Sequence, residues 1–146
     1  INEKDYFSLS SISFLGYKTK EFGEVNYKTY QYLYKGDVED YNFGENDYVV
    51  IGSGDTKLRK EIYETLKKRN IKFYTIISEK SYVSESSEIG EANIIFSTSV
   101  SSNSKIGNGN LFNHDNKIAP LSAIYKGCKN NCYMLGNPAL KEGTVE

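Results

Sequence analysis

The sequence lacks a long hydrophobic run, an excess of either charge and a set of cysteines. Its longest apolar runs, "YVVI" at 48–51 and "NIIF" at 93–96, are far shorter than the roughly 20 residues that cross a bilayer. A net charge of -1, from 18 Lys and Arg against 19 Asp and Glu, provides no basic field that would concentrate nucleic acid. Cys128 and Cys132 have no second pair and no nearby histidine, so we expect neither a disulfide framework nor a metal site.

The first residues, "INEKDYFSLS", also lack a basic region followed by an apolar core, which is the pattern of a secretory signal. The cytoplasm is therefore the expected location. With 146 residues the chain is long enough to bury a core of its own, as one domain or as two small ones.

The character of the chain changes near residue 78, where apolar runs and a helical pattern give way to Ser, Asn and Gly. We therefore predict two domains, residues 1–78 and 79–146. In the first, "SISFLGY" (11–17) alternates like a strand, and "DYVVIGSG" (47–54) is a short apolar run of the kind found in buried parallel strands. Both strands are predicted to lie in one sheet.

The segment "TKLRKEIYETLKKRN" (56–70) predicts an amphipathic helix. Asp55 or Thr56 is suited to cap its first turn, and Asn70 to adopt the left-handed turn that ends it. The next strand is "KFYTII" (72–77), so the order strand, helix, strand predicts a right-handed parallel βαβ unit. The apolar face of the helix consists of Leu58, Ile62, Tyr63 and Leu66.

After residue 78 apolar residues recur at intervals of six, with a single interval of five. Such a period suits a solenoid of short parallel strands with three sides per coil, each apolar residue pointing inward. The alternative, a Ser/Asn-rich linker, has no reason to keep this spacing. The residues concerned are Val83, Ile89, Ile95, Val100, Ile106, Phe112, Ile118 and Ile124.

The βαβ pattern within 49–91, then "SSNSKIGNGNLFNHD" (101–115) and "IAPLSAI" (118–124), spans residues 49–124, about half of the chain. In this order it resembles the sugar O- and N-acetyltransferases of the left-handed β-helix (hexapeptide-repeat) superfamily, among them sialic acid O-acetyltransferases and enzymes acting on nucleotide-linked amino sugars. The resemblance implies a Rossmann-like sugar- or nucleotide-binding domain followed by a short left-handed parallel β-helix. It further implies a homotrimer that uses acetyl-CoA to acetylate a sugar for surface glycan synthesis.

By resemblance, His114 matches the catalytic base of that family and Asp115 the acidic residue beside it. An imidazole titrates near neutral pH, so it can accept the proton of an attacking amine or hydroxyl. Without the repeats, a lone histidine in a polar stretch is more simply a surface residue. The resemblance also implies cofactor contacts from Asn113 and from the segment "GNPAL", at Gly136, Asn137 and Pro138.

Ile51, Gly52 and Gly54 lie at the carboxyl end of the segment 47–54, the end where α/β sheets bind ligands. They are candidate substrate-binding residues, although a simple strand-to-helix turn explains them equally well. The adjacent run "KLRK" (57–60) is expected to face solvent on the helix, where it could attract a phosphate.

The sequence departs from the family pattern in four places. No glycine-rich first strand precedes "SISFLG", and "FLGY" (14–17) lacks a ribose-binding carboxylate. The hexad that should follow His114 is missing, which predicts a coil shortened by about six residues. No capping helix follows the repeats, so the chain resembles a fragment. The shortened coil and the absent nucleotide-binding loop favour an alternative function, an inactive β-helix trimer serving as scaffold or sugar-nucleotide binding module. A third reading is a nucleotide-binding domain with a polar tail.

Overall fold

The computed structural model describes residues 14–16, 34–124, 132–136 and 139–144. The chain divides into two compact units, Ile1–Glu45 and Asn46–Glu146. In the first unit, strand β1 (Phe14–Gly16) pairs in parallel with strand β2 (Tyr34–Asp37). The strand predicted at 11–17 is thus seen at its centre, and its remaining residues lie outside the described part.

The second unit begins with a βαβ unit, as predicted, but the strand predicted over 72–77 is divided into two strands that lie in different sheets. Strand β3 (Tyr48–Val49) leads into helix α1 (Thr56–Lys67), which returns the chain to strand β4 (Lys72–Phe73). The two strands are parallel, with Tyr48 aligned to Lys72 and Val49 to Phe73.

The pairs β1–β2 and β3–β4 each form a two-stranded sheet. They belong to different units of the chain, so the shared sheet of the strands at 11–17 and 47–54 stays a prediction. The apolar run predicts the strand but neither its partner nor its burial, since Tyr48 is 47% and Val50 40% exposed. A wider Rossmann-like sheet around the βαβ unit stays a prediction.

Helix α1 begins and ends as its capping residues predict. Asp55 is the N-cap, and its carboxylate accepts a hydrogen bond of 2.8 Å from the backbone N–H of Leu58. Asn70 has a φ of 58°, the left-handed conformation that ends many helices. Of the predicted apolar face, Leu66 is fully buried, whereas Leu58 is 36% exposed.

From residue 76 onward the chain winds into coils of short parallel strands, close to the change of character predicted near residue 78. The strands are β5 (Ile76–Ile77), β6 (Tyr82–Val83), β7 (Glu88–Ile89), β8 (Ile94–Ile95), β9 (Thr98–Val100), β10 (Lys105–Ile106), β11 (Leu111–Phe112), β12 (Asn116–Ile118) and β13 (Ala123–Ile124). Every third strand stacks on the same face, giving the sheets β5–β8–β11, β6–β9–β12 and β7–β10–β13. This arrangement fits the predicted left-handed β-helix.

Two further strands extend one face of the β-helix. Strand β14 (Cys132–Gly136) pairs in parallel with β12, and strand β15 (Ala139–Thr144) pairs in antiparallel with β14. Among the described segments, no helix has both the length and the apolar character that a membrane span requires.

The apolar residues at intervals of six form the core of the coils, as predicted. Six of them are buried in one cluster, and Val83, Ile89 and Ile77 pack against it. This ordered core rules out both the linker and the polar-tail readings. The buried members are Ile95, Val100, Ile106, Phe112, Ile118 and Ile124.

The predicted shortening of the coil after His114 is wrong. Strand β12 lies in register with β9, Ile118 over Val100, and strand β13 lies in register with β10, Ile124 over Ile106. The six-residue spacing of the core residues continues through this region, so each strand advances by one face. The coil that carries His114 is therefore complete.

The dipeptide Ile-Gly occurs at Ile89-Gly90 and again at Ile106-Gly107, and at Gly90 the glycine has a steric reason. A Cβ at this position would lie 2.1 Å from Oδ1 of Asn108 and 2.7 Å from the carbonyl oxygen of Gly107 on the next coil. The same corner is held by Asn93, whose Nδ2 donates to the carbonyls of Gly90 (2.9 Å) and Gly107 (2.8 Å). Glycine thus lets two coils approach closely enough for this amide to bridge them.

Candidate functional site

His114 lies at the exposed corner between strands β11 and β12. Its imidazole stacks on the ring of Phe96, which occupies the equivalent corner one coil earlier, with ring centroids 6.3 Å apart and planes inclined by 24°. Phe96 is itself 37% exposed. One face of the imidazole therefore rests on an aromatic ring, while the residue as a whole is open to solvent and to a ligand.

Asp115 is held by the coil below it. The residue has a φ of 59°, and its backbone N–H donates to the carbonyl of Ser97 at 2.9 Å. Its carboxylate accepts a long hydrogen bond of 3.5 Å from the hydroxyl of the same serine. These bonds fix the corner that presents His114, and a role for Asp115 beside the imidazole stays a prediction.

Asn113 anchors the approach to this corner through its backbone. Its carbonyl accepts hydrogen bonds from Oγ1 of Thr98 (3.2 Å) and from Nδ2 of Asn116 (2.9 Å). Gly136, the other described member of the predicted cofactor set, ends strand β14. Asn137 and Pro138 lie outside the described residues, so the cofactor contacts of all four stay predictions.

A shallow groove of about 300 Å³ begins at the His114 corner and crosses the face formed by β6, β9 and β12. Its floor is the coil that carries Ser97 and Ser99, whose side chains are short. One wall is formed by the coil before it and the other by the coil after it. The lining residues are Lys80, Tyr82, Ser97, Thr98, Ser99, Asp115, Asn116 and Lys117.

Arg59 corrects the expectation that the run at 57–60 faces solvent. Lys57 and Lys60 are exposed, but Arg59 is only 1% exposed. Its guanidinium donates to backbone carbonyls alone: those of Ile51, Ser53 (3.1 Å), Ala92 (3.0 Å), Gly109 (3.0 Å) and Asn110 (3.4 Å). Hydropathy placed Arg59 outside because arginine is rarely buried without a carboxylate partner.

These bonds attach the loop after β3 to the β-helix. Ala92 and Gly109 are corner residues of successive coils, with φ values of 59° and 70°, and Arg59 joins their carbonyls to those of Ile51 and Ser53. Burial lowers the pKa of the Arg59 guanidinium from its ordinary value, although arginine remains protonated in proteins. The buried charge is therefore balanced by the negative ends of carbonyl dipoles.

The same bonds orient the candidate substrate-binding loop. A trans peptide points its carbonyl and the following N–H in opposite directions. The carbonyls of Ile51 and Ser53 point at Arg59, so the amides of Gly52 and Gly54 point away from it. Both glycines are exposed, and a Cβ at either would meet no atom within 4 Å. Neither has a positive φ, so the fold does not require glycine at these two positions.

Glu91 forms a second set of contacts between helix α1 and the coils. Its carboxylate accepts a hydrogen bond of 2.7 Å from the hydroxyl of Tyr63 and forms an ion pair with Lys67. Burial and the nearby carboxylate raise the pKa of Tyr63 to about 12. Burial alone would raise the pKa of Glu91, but the bonds from Lys67 and Tyr63 outweigh it and the net pKa is lowered.

The described part of the chain contains no group of three or more His, Cys, Asp or Glu residues placed to hold a metal ion. Cys132 is the first residue of β14, and Cys128 lies outside the described residues.

No protein-family model and no curated protein matches this chain. Among solved structures it is similar to PerB from Caulobacter crescentus in complex with CoA and GDP-perosamine, at 13% identity over 66% of this chain and 70% of that one, with a TM-score of 0.32. It is also similar to WeeI from Acinetobacter baumannii AYE, at 14% identity over 68% and 73% of the two chains, with a TM-score of 0.42. With identities and TM-scores this low, neither likeness assigns an activity to this chain.

Proposed function

We propose that the chain is an acetyl-CoA-dependent acetyltransferase that acts on a sugar, with His114 as the general base. The observation that carries this proposal is the position of the imidazole. It is exposed at the corner of a complete β-helix coil, supported on one face by Phe96, and a groove begins at the next residue. A base for a bound substrate must combine such access with a fixed orientation.

In the proposed reaction, the amine or hydroxyl of the sugar attacks the thioester carbon while the imidazole of His114 accepts its proton. The C–S bond then breaks, and the imidazolium returns the proton to the departing thiolate. Each turnover thus moves one acetyl group and leaves the protein unchanged. Base catalysis of this kind contributes typically about 10²–10⁴ in rate. Asp115 is assigned the role of stabilising the imidazolium, and Asn113, Gly136, Asn137 and Pro138 that of contacting CoA.

The loop of Ile51, Gly52 and Gly54 is assigned to the sugar substrate. Its two glycine amides face away from Arg59, and exposed backbone N–H groups suit the phosphate of a sugar nucleotide. This assignment can be tested without disturbing the fold, because the methyl group that Gly52→Ala or Gly54→Ala introduces would meet no atom of the protein within 4 Å. We expect both variants to keep the stability of the wild type while weakening substrate binding. A variant that binds the substrate normally would contradict the assignment.

The remaining parts of the proposal are a homotrimer, a cytoplasmic location and a sialic acid or a nucleotide-linked amino sugar as acceptor for surface glycan synthesis. The alternative, an inactive scaffold, rests on a shortened coil and on the absent nucleotide-binding loop. The complete coil removes the first of these two arguments.

The test is acceptor-dependent release of CoA thiol from acetyl-CoA, followed by mass spectrometry of the acceptor. The acceptor panel contains sialic acids and nucleotide-linked amino sugars, including GDP-perosamine, which PerB binds. We expect thiol release and an acetylated product with at least one acceptor. If no acceptor is acetylated and calorimetry shows no saturable binding of acetyl-CoA, the protein is a scaffold or a binding module.

A further inference from the structure

The groove beside His114 owes its shape to the sizes of the residues on three successive coils. Tyr82 on β6, Ser99 on β9 and Lys117 on β12 are aligned in the sheet, so their side chains form one outward row. The side chain of Ser99 is short and those of its two neighbours are long, so the groove runs along the middle coil. Because neighbouring strands lie about 4.8 Å apart, the two walls are separated by roughly 10 Å.

Each wall of the groove carries one lysine, Lys80 on the first and Lys117 on the second. Among the residues that the structure describes, neither lysine forms an ion pair, whereas Lys105 on another face pairs with Glu88 at 3.1 Å. The acidic residue in the lining is Asp115, whose carboxylate already accepts a hydrogen bond from Ser97. Two ammonium groups facing a trough from opposite sides are suited to an anion lying between them.

Tyr82 supplies an aromatic surface beside these charges. It is 64% exposed, so its ring is accessible to a ligand in the groove. An aromatic ring next to two lysines is the combination that binds a nucleotide, since the base stacks on the ring while the cations contact the phosphates. One end of the groove reaches the corner at Asp115, the residue that directly follows His114.

We propose that this groove binds a nucleoside diphosphate, with the phosphates between Lys80 and Lys117 and the base on Tyr82, so that the rest of the ligand extends toward His114. The proposal rests on the proposed acetyltransferase function for the role of His114. Two ligands of that reaction carry this chemistry, namely CoA through its ADP portion and a sugar nucleotide.

The test measures binding by calorimetry at low salt, using CoA and GDP as separate probes for the two sources and inorganic pyrophosphate as a probe without a base. The variants are Lys80→Gln, Lys117→Gln and Tyr82→Leu, and Lys105→Gln is the matched control on another face. We expect Lys80→Gln and Lys117→Gln each to lower the affinity for one or both nucleotides about five- to tenfold. Lys105→Gln should leave the affinities unchanged. Tyr82→Leu should lower the affinity for the nucleotides about tenfold. It should hardly change the affinity for pyrophosphate, because pyrophosphate has no base to stack on the ring.

The pattern of losses identifies the source. Weaker binding of CoA alone assigns the groove to the acetyl donor, weaker binding of GDP alone assigns it to the sugar nucleotide, and weaker binding of both shows that the two share it. If the lysine variants bind both nucleotides as the wild type does, or if the wild type binds neither, the groove proposal is overturned. Acetyl transfer by the wild type is measured separately. Unchanged nucleotide binding in the lysine variants therefore refutes the groove, while acetyl transfer by the wild type leaves the proposed function standing.

Discussion

Replacing Arg59 by methionine should destabilise the whole second unit, because this side chain is the bond between helix α1, the loop after β3 and two coils of the β-helix. Methionine keeps most of the apolar volume but removes all five donors. The carbonyls of Ile51 and Ala92 lie in buried hydrogen bonds to Arg59. A buried acceptor that loses its donor costs about 1–3 kcal/mol.

Two such losses amount to about 2–6 kcal/mol, and the relief of no longer burying a charge offsets part of this. We therefore expect Arg59→Met to lower the free energy of unfolding by roughly 2–4 kcal/mol. Arg59→Lys should also destabilise the protein, because an ammonium group cannot reproduce the planar fork that reaches several carbonyls at once.

The assay is urea unfolding followed by circular dichroism, with Lys60→Met as the matched control. Lys60 lies next to Arg59 on the same helix, but its side chain is 75% exposed and its pair with Glu64 spans 3.7 Å, so its loss should cost less than about 0.5 kcal/mol. Equal stability of Arg59→Met and Lys60→Met would refute the view that Arg59 holds the unit together.

Three further predictions concern the coils. Phe112→Ala should cost about 3–5 kcal/mol in urea unfolding, since Phe112 is fully buried in the core cluster, and a cost under about 1 kcal/mol would contradict this packing. Gly90→Ala should lower the thermal midpoint, because its Cβ would lie 2.1 Å from Asn108 Oδ1 and 2.7 Å from the Gly107 carbonyl, whereas Gly52→Ala, with open space around it, should leave the midpoint unchanged. The pKa of Glu91 is lower in the folded protein than its ordinary value. Its carboxylate therefore stabilises the folded state above the unfolded-state pKa of about 4.3. This contribution is lost as the pH falls from there through the folded-state pKa. Glu91→Gln should therefore be less stable than the wild type at pH 7, and a difference that did not shrink on acidification would count against the pair with Lys67.

The coils were predictable from the sequence because their physical signal is local and repeated. An apolar residue at every sixth position, such as Ile106, Phe112 and Ile118, must point inward if each side of the coil has six residues. Helix α1 was equally accessible, since Asp55 and Asn70 mark its ends by their own side-chain and backbone preferences.

The errors arose where a contact depends on distant parts of the chain. The resemblance suggested a missing hexad after His114, but the spacing of the core residues already indicated a complete coil. Arg59 was placed in solvent because its acceptors are backbone carbonyls, which leave no trace in the sequence. The aligned residues Tyr82, Ser99 and Lys117, which shape the groove, were also not identified from the sequence. Its signal was available, because once the coil length is known these three residues fall at equivalent positions of successive coils.

The most direct test of the account is the acetyl-transfer rate of His114→Ala against the wild type, measured with the acceptor found in the panel and at saturating acetyl-CoA. We expect the rate to fall by about 10²–10⁴, while circular dichroism and the oligomeric state stay unchanged, since the imidazole is exposed and its removal opens no core cavity. An unchanged rate in a folded His114→Ala variant would contradict the assignment of His114 as the base.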